Sequence, residues 1–140
     1  MAVLPLTGGC LCGAVRFEVA EAPISASYCH CTRCQRRTGT AVSASARIVP
    51  GSLRILSGED VLGAYEPADG FAKVFCSLCG AHLWIRNPED GTVSGVRMSA
   101  FDDDPGVRPS VRQFVAYAAS WEPIPDDGLP RFPERRPPDA

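Results

Sequence analysis

An all-β domain pinned by metal is the fold class the amino-acid sequence predicts, and three observations carry that prediction. Short runs of alternating or β-branched residues recur along the 140-residue chain. Thirteen glycines and thirteen prolines break those runs into many turns. Seven cysteines fall into three tight groups instead of scattering as small core residues.

The elements follow in order. "AVRFEV" alternates, with Val15, Phe17 and Val19 on one face and Arg16 and Glu18 on the other. "ISASYC", "AVSASARIV", "LRIL", "FAKVFC", "HLWIR", "TVSGVRMSA" and "VRQFVAY" read as further extended segments, separated by Gly, Pro or Asp. One short helical turn is expected from about Thr32 to Thr38, ended by Gly39. From Glu122 onward the chain is Pro-rich and reads as loop or tail, with Trp121 and Phe132 as candidate anchors.

Length and composition bound the rest. A chain of this size makes one domain and buries about two-thirds of the surface its unfolded form exposes. At 45% hydrophobic and 21% charged residues it has the make-up of a soluble globular protein. No apolar run approaches the ~20 residues of a membrane helix. The start "MAVLPLTGGC" lacks the basic flank and apolar stretch of a signal peptide, so a cytoplasmic location is expected. A net charge of −2 creates no global attraction to nucleic acid or membrane, and neither is expected as a partner.

The cysteines carry the chemistry. Their odd number and a reducing compartment argue against a disulfide framework, and their spacing argues for metal. In "FCSLCG" the C-x-x-C-G spacing of Cys76 and Cys79 suits a zinc knuckle, with Gly80 free to take positive φ. In "GGCLCG", Cys10 and Cys12 stand two residues apart, so an extended chain would aim both sulfurs to one side. Two such pairs make a closed four-thiolate structural site, for which zinc is expected, with iron as the alternative ion. It would clip together distant stretches of chain and contribute directly to folding.

The stretch "YCHCTRCQRRTG" then leaves Cys29, Cys31 and Cys34 as three thiols without a fourth. Three protein ligands with an open position is the pattern of a catalytic zinc. His30 or His82 would close the set if either ligated. In extended chain, however, the ring of His30 should point away from the sulfurs that flank it. Arg33, Arg36 and Arg37 form a basic cluster immediately beside the trio.

In order and spacing, "GGCLCGAVRFEV", "YCHCTRCQRRTG", "LSGEDVLGAY", "FCSLCGAHLWI" and "RPSVRQFVAYAASW" resemble the glutathione-dependent formaldehyde-activating enzyme (GFA) family, which includes the centromere protein V type domains. The resemblance runs from about Gly8 to Phe132 and implies a zinc fold of β-sheets like that of a Rab exchange factor. It implies a domain over 8–132, flanked by an N-terminal segment 1–7 and a flexible tail 133–140. It also implies two zinc ions: a structural one on Cys10, Cys12, Cys76 and Cys79, and a catalytic one on Cys29, Cys31 and Cys34. The family reaction joins glutathione to formaldehyde or reverses that addition, a carbon–sulfur lyase activity. Arg33, Arg36 and Arg37 would then grip substrate carboxylates. Many relatives carry histidine where this chain has Gln113, which can hydrogen-bond but does not titrate near neutral pH.

Two other readings of the residues stand beside the enzyme. One is a non-catalytic module whose two zinc sites are both structural and which binds a partner. The other is a thiol redox protein built on "CTRC", which lacks the strand–helix setting such motifs occupy.

Overall fold

The computed structural model describes residues 2–139, so Met1 and Ala140, at the outer ends of the two flanking segments, lie outside the described residues. Strands β1 (Leu6–Gly9) and β2 (Arg16–Val19) form an antiparallel hairpin with Leu6 opposite Val19. Strand β3 (Ser25–Cys29) leads into helix α1 (Thr32–Thr38), followed by β4 (Ser43–Arg47) and β5 (Leu53–Ser57). Strands β6 (Leu62–Tyr65), β7 (Ala72–Cys76), β8 (His82–Arg86) and β9 (Val93–Arg97) come next. The last strand is β10 (Pro109–Gln113). The chain is mostly β with one short helix, as the turn-rich sequence predicts.

These elements divide into two compact units, Met1–Ile24 with Ala46–Val107, and Ser25–Ser45 with Arg108–Ala140. The first unit holds the three-stranded sheet β1-β2-β5 and an antiparallel run in the order β9-β8-β7-β6. Its core is the alternating face of β2. Val15, Phe17 and Val19 are fully buried, as their spacing predicts. The Phe17 ring meets Trp84 edge-on at 5.4 Å and Phe101 at 5.9 Å. Edge-to-face pairs of this kind add about 0.5–1.5 kcal/mol each beyond the area they bury.

Glycine in β1 makes room for that ring. A Cβ on Gly8 would lie 2.5 Å from Phe17 Cζ and 2.3 Å from the Ala100 carbonyl oxygen. Neither β1 nor β6 lies within the segments the sequence marks as extended. "LTGG" and "LGAY" have too few β-branched residues to declare themselves. Their pairing comes from neighbours, with Gly63 of β6 lying directly opposite Phe75.

The second unit pairs β3 with β10 in parallel, placing Tyr28 beside Arg112 and Cys29 beside Gln113. Helix α1 is preceded by Cys31, whose side chain caps the Cys34 amide, and is ended by Gly39, which takes the left-handed φ of 68° that glycine tolerates. Arg36 and Arg37 in its last turn complement the helix dipole. The extended segment "VRQFVAY" ends early, at Gln113. Phe114 adopts φ 58°, a left-handed conformation costly for a bulky residue, and a 3-10 turn Val115–Tyr117 follows.

The chain beyond Glu122 is irregular but tied down by its backbone. Phe132 N–H donates to Arg112 O at 2.9 Å, Arg112 N–H to Pro130 O at 2.9 Å, and Phe114 N–H to Glu134 O at 2.9 Å. Phe132 is half-buried, whereas Trp121 is 69% exposed and does not act as the anchor the sequence suggests. Main-chain bonds to β10 do that work instead.

Gly8→Ala is expected to destabilise the fold by about 1–3 kcal/mol, the cost of overpacking a filled core. The reading is a lower denaturant midpoint at unchanged slope. An unshifted midpoint would mean that the Phe17 ring yields freely.

Candidate metal centres

Two groups of sulfurs gather in the fold, and each forms at the end of a strand. In the first unit the sulfurs of Cys10, Cys12, Cys76 and Cys79 all lie within 4.8 Å of one another. Two hairpin loops bring them there by the same device. Cys10 N–H donates to Val15 O at 3.1 Å across one loop, and Cys76 N–H to Ala81 O at 3.0 Å across the other. Each bond spans five residues and closes a loop around its cysteine pair.

Cys10 to Gly13 is a turn closed by Gly13 N–H to Cys10 O at 3.3 Å, not the extended chain the spacing suggests. Gly13, at φ 83°, permits that turn. Gly80, at φ 79°, serves the other knuckle as its motif predicts.

The geometry fits a tetrahedral ion. A Zn–S length of about 2.3 Å implies sulfurs about 3.8 Å apart. Cys10 Sγ and Cys12 Sγ stand 3.6 Å apart, and Cys12 Sγ and Cys76 Sγ 3.9 Å. Cys10, Cys12 and Cys79 are shifted unevenly. Burial raises the Cys10 thiol, but the Val15 amide, 3.2 Å from its sulfur, and the neighbouring thiols leave it below its ordinary value. Cys79 is lowered to about 6 by backbone bonds from Ala81 and Cys12. An Ala14 amide bond lowers Cys12, yet Cys10 and the remaining sulfurs together push it up to about 11. The amides favour thiolates while the sulfurs oppose one another. A cation among them removes that conflict.

In the second unit the sulfurs of Cys29, Cys31 and Cys34 lie within 4.8 Å of one another. The end of β3 supplies Cys29. The cap of α1 supplies Cys31, whose sulfur accepts the Cys34 N–H at 3.3 Å, and the first helical turn supplies buried Cys34. Contact with the Cys31 and Cys34 sulfurs, then burial, pushes the Cys29 thiol far up. Among the described residues no His, Asp or Glu joins this trio. The donor set suits zinc at both groups and leaves the trio one protein ligand short of a tetrahedron.

His30 turns away from the sulfurs, as strand alternation predicts. Its ring is buried, and Arg112 Nη1 stands 3.2 Å from His30 Nε2. Arginine only donates, so Nε2 accepts and the ring proton sits on Nδ1. Burial, with the Arg112 charge added, holds this imidazole below its usual pKa. Arg112 also packs over the Tyr28 ring at 4.3 Å and pairs with Asp127 at 2.8 Å. His82 begins β8, half-buried, and joins neither sulfur group.

The three arginines divide. Arg37 Nη2 lies 3.6 Å from Cys34 Sγ, and its Nε is buried without a hydrogen-bond partner. Arg33 and Arg36 are exposed on the same short helix. Sequence reasoning overlooks Gln35. Its Nε2 donates to His30 O at 2.8 Å and Tyr117 O at 2.9 Å, tying α1 to β3 and to the turn after β10. The Arg112 network is equally unannounced, because an arginine in "SVRQF" reads as a surface residue.

A strand-built fold with one group of four cysteine sulfurs and a second group of three defines the class of this protein, and comparison supplies the family. The sequence model of the glutathione-dependent formaldehyde-activating enzyme family matches residues 5–117, and the chain belongs to that family. It is 30% identical over 105 residues to a Halomonas elongata protein provisionally named a glutathione-dependent formaldehyde-activating enzyme, covering 71% of this chain and 67% of that one. The crystal structure of a Rhodobacter sphaeroides protein aligns over 90% of this chain and 98% of its own, with 27% identity and a TM-score of 0.53.

Native mass spectrometry is expected to count two zinc ions per chain, and saturation at one would remove the second site. Cys76→Ser should unfold or strongly destabilise the protein, because the residue is buried and closes the four-sulfur group. Cys34→Ser should cost far less stability in the same melting experiment.

Proposed function

We propose that the protein is a zinc-dependent carbon–sulfur lyase that makes or breaks the adduct of a small acidic thiol with a small aldehyde. Glutathione and formaldehyde are the substrates that family membership favours. The carrying observation is the trio of sulfurs that no further His, Asp or Glu of the described residues completes, set against a basic helix. A metal site meant only for structure is closed by protein. Seven free cysteines suit the reducing cytoplasm, where we place the reaction.

Bound at Cys29, Cys31 and Cys34, zinc supplies an anchoring point for a thiol sulfur and keeps it ionised near neutral pH. The chain's own residues arrange the rest. Three thiolates around a divalent ion carry excess negative charge, and Arg37, held against Cys34, offsets it. The exposed Arg33 and Arg36 bind carboxylates of the thiol substrate, which suits a guanidinium fork. Gln35 fixes α1 to its neighbours, so the trio and the arginines keep their geometry. The alternative of a purely structural second site gains nothing from His30, whose ring nitrogen is engaged by Arg112.

Exchange NMR on mixtures of formaldehyde and glutathione tests this directly. The wild-type protein should accelerate interconversion of free aldehyde and S-hydroxymethyl adduct. Cys34→Ser should abolish the acceleration while keeping the wild-type circular dichroism. Arg36→Ala should raise the KM for glutathione several-fold with little change in kcat. Equal exchange with and without the wild-type protein would remove this reaction.

A further inference from the structure

The geometry points to Gln113 as the group that receives the aldehyde oxygen, with the backbone amide of Arg136 as the positioning element that aims it; this rests on the lyase reading above. The argument begins with register. Gln113 is the parallel partner of Cys29, and paired residues on adjacent strands project to the same face about 4.8 Å apart. Alternation confirms the assignment of faces. Arg112 and its partner Tyr28 stack together on the opposite face, where Arg112 also meets His30. Gln113 therefore shares its face with the first sulfur of the trio.

The second step fixes the amide's orientation. Arg136 N–H donates to the Gln113 side-chain oxygen at 3.2 Å. A backbone N–H cannot accept, so the oxygen branch faces Arg136 and the NH2 branch is the other one. Its two donors are taken by no hydrogen bond among the described residues. Gln113 is half-buried, so these donors are not sealed off from solvent.

The third step is rigidity. Gln113 O accepts His30 N–H at 3.0 Å, and Phe114 is held at φ 58° by its bond to Glu134 O at 2.9 Å. A bulky residue keeps such a conformation only where its surroundings enforce it. The segment carrying Gln113 is thus clamped from both sides, by β3 and by the C-terminal strap.

The reaction has a use for a fixed, neutral donor. As the thiolate attacks formaldehyde, a sulfur electron pair forms the C–S bond and the carbonyl π pair moves onto oxygen. Water then supplies the proton that completes the hydroxymethyl product, and the reverse step returns it. Charge grows on that oxygen, and a pre-aimed N–H stabilises it more in the transition state than in the free aldehyde. An amide does not titrate, so this contribution is constant across the neutral pH range.

Gln113→Met keeps the side chain's length and removes the donor. It should lower kcat/KM for adduct formation about 100-fold, while zinc content and glutathione affinity, measured calorimetrically, stay at wild-type values. Arg136→Pro removes the aiming N–H and should lower kcat with KM for glutathione unchanged. In the double variant the two losses should not multiply, because both act through one amide. Wild-type exchange in Gln113→Met would overturn the assignment, as would a loss that tracks zinc or glutathione binding. Losses that multiply would overturn the role of Arg136. A wild-type protein without exchange activity would remove the lyase reading and this assignment together, whereas an active wild type beside an equally active Gln113→Met would remove the assignment alone.

Discussion

Sulfur atoms that must share a few ångströms cannot all carry charge unless something positive stands among them. Both cysteine groups are built on that conflict. Backbone amides draw Cys10 and Cys79 toward the thiolate, while Cys12 and Cys29 are driven the other way by the sulfurs beside them. Without a cation the hairpin loops around Cys10 and Cys76 would hold mutually opposed groups at their tips. With one, the same loops become the cheapest way to hold four ligands in a tetrahedron. The loop turns, Gly13 and Gly80 at positive φ and the buried end of β7 all suit that arrangement.

The second unit solves a different problem with one pair of parallel strands. One face of β3 and β10 is given to a buried cation, Arg112, held by Tyr28, His30 and Asp127. The other carries Cys29 and Gln113. Asp127 is kept below the usual carboxylate range, chiefly by its bond to Arg112, so the pair stays charged at neutral pH. With the His30 ring engaged on the far face, no His, Asp or Glu of the described residues joins the three sulfurs on the near face. Two-residue periodicity thereby separates the Arg112 network from the sulfur-bearing face, though their residues alternate in sequence.

How much of this was legible beforehand depended on how local the cause is. Alternation in "AVRFEV", the helix between Thr32 and Gly39 and the spacing within each cysteine motif are local patterns, and the structure contains each. The strand β6 and the early end of β10 are not local. The first is decided by the Phe75 ring across from Gly63, the second by the strap whose Glu134 carbonyl holds Phe114. The turn at Cys10 escaped because i, i+2 spacing fits extended and turned chain alike. Arg112 and Gln35 escaped because nothing in a sequence marks a polar side chain that will be buried against partners 82 positions away. The two sulfur groups were readable from residue type and spacing, and their surroundings only from long-range pairing.

That pairing gives the protein an order of assembly. All four ligands of the closed sulfur group have been made once Cys79 leaves the ribosome, and the hairpins that carry them are built from near neighbours in sequence. The trio is complete earlier still, by Cys34, but its flanking strand is not. β10 joins β3 across 84 positions, and parallel strands cannot be joined by a tight turn. During synthesis the three thiols must therefore wait, uncovered on that side, until residues 109–113 emerge. The strand that flanks the trio is therefore made after all four cysteines of the other sulfur group.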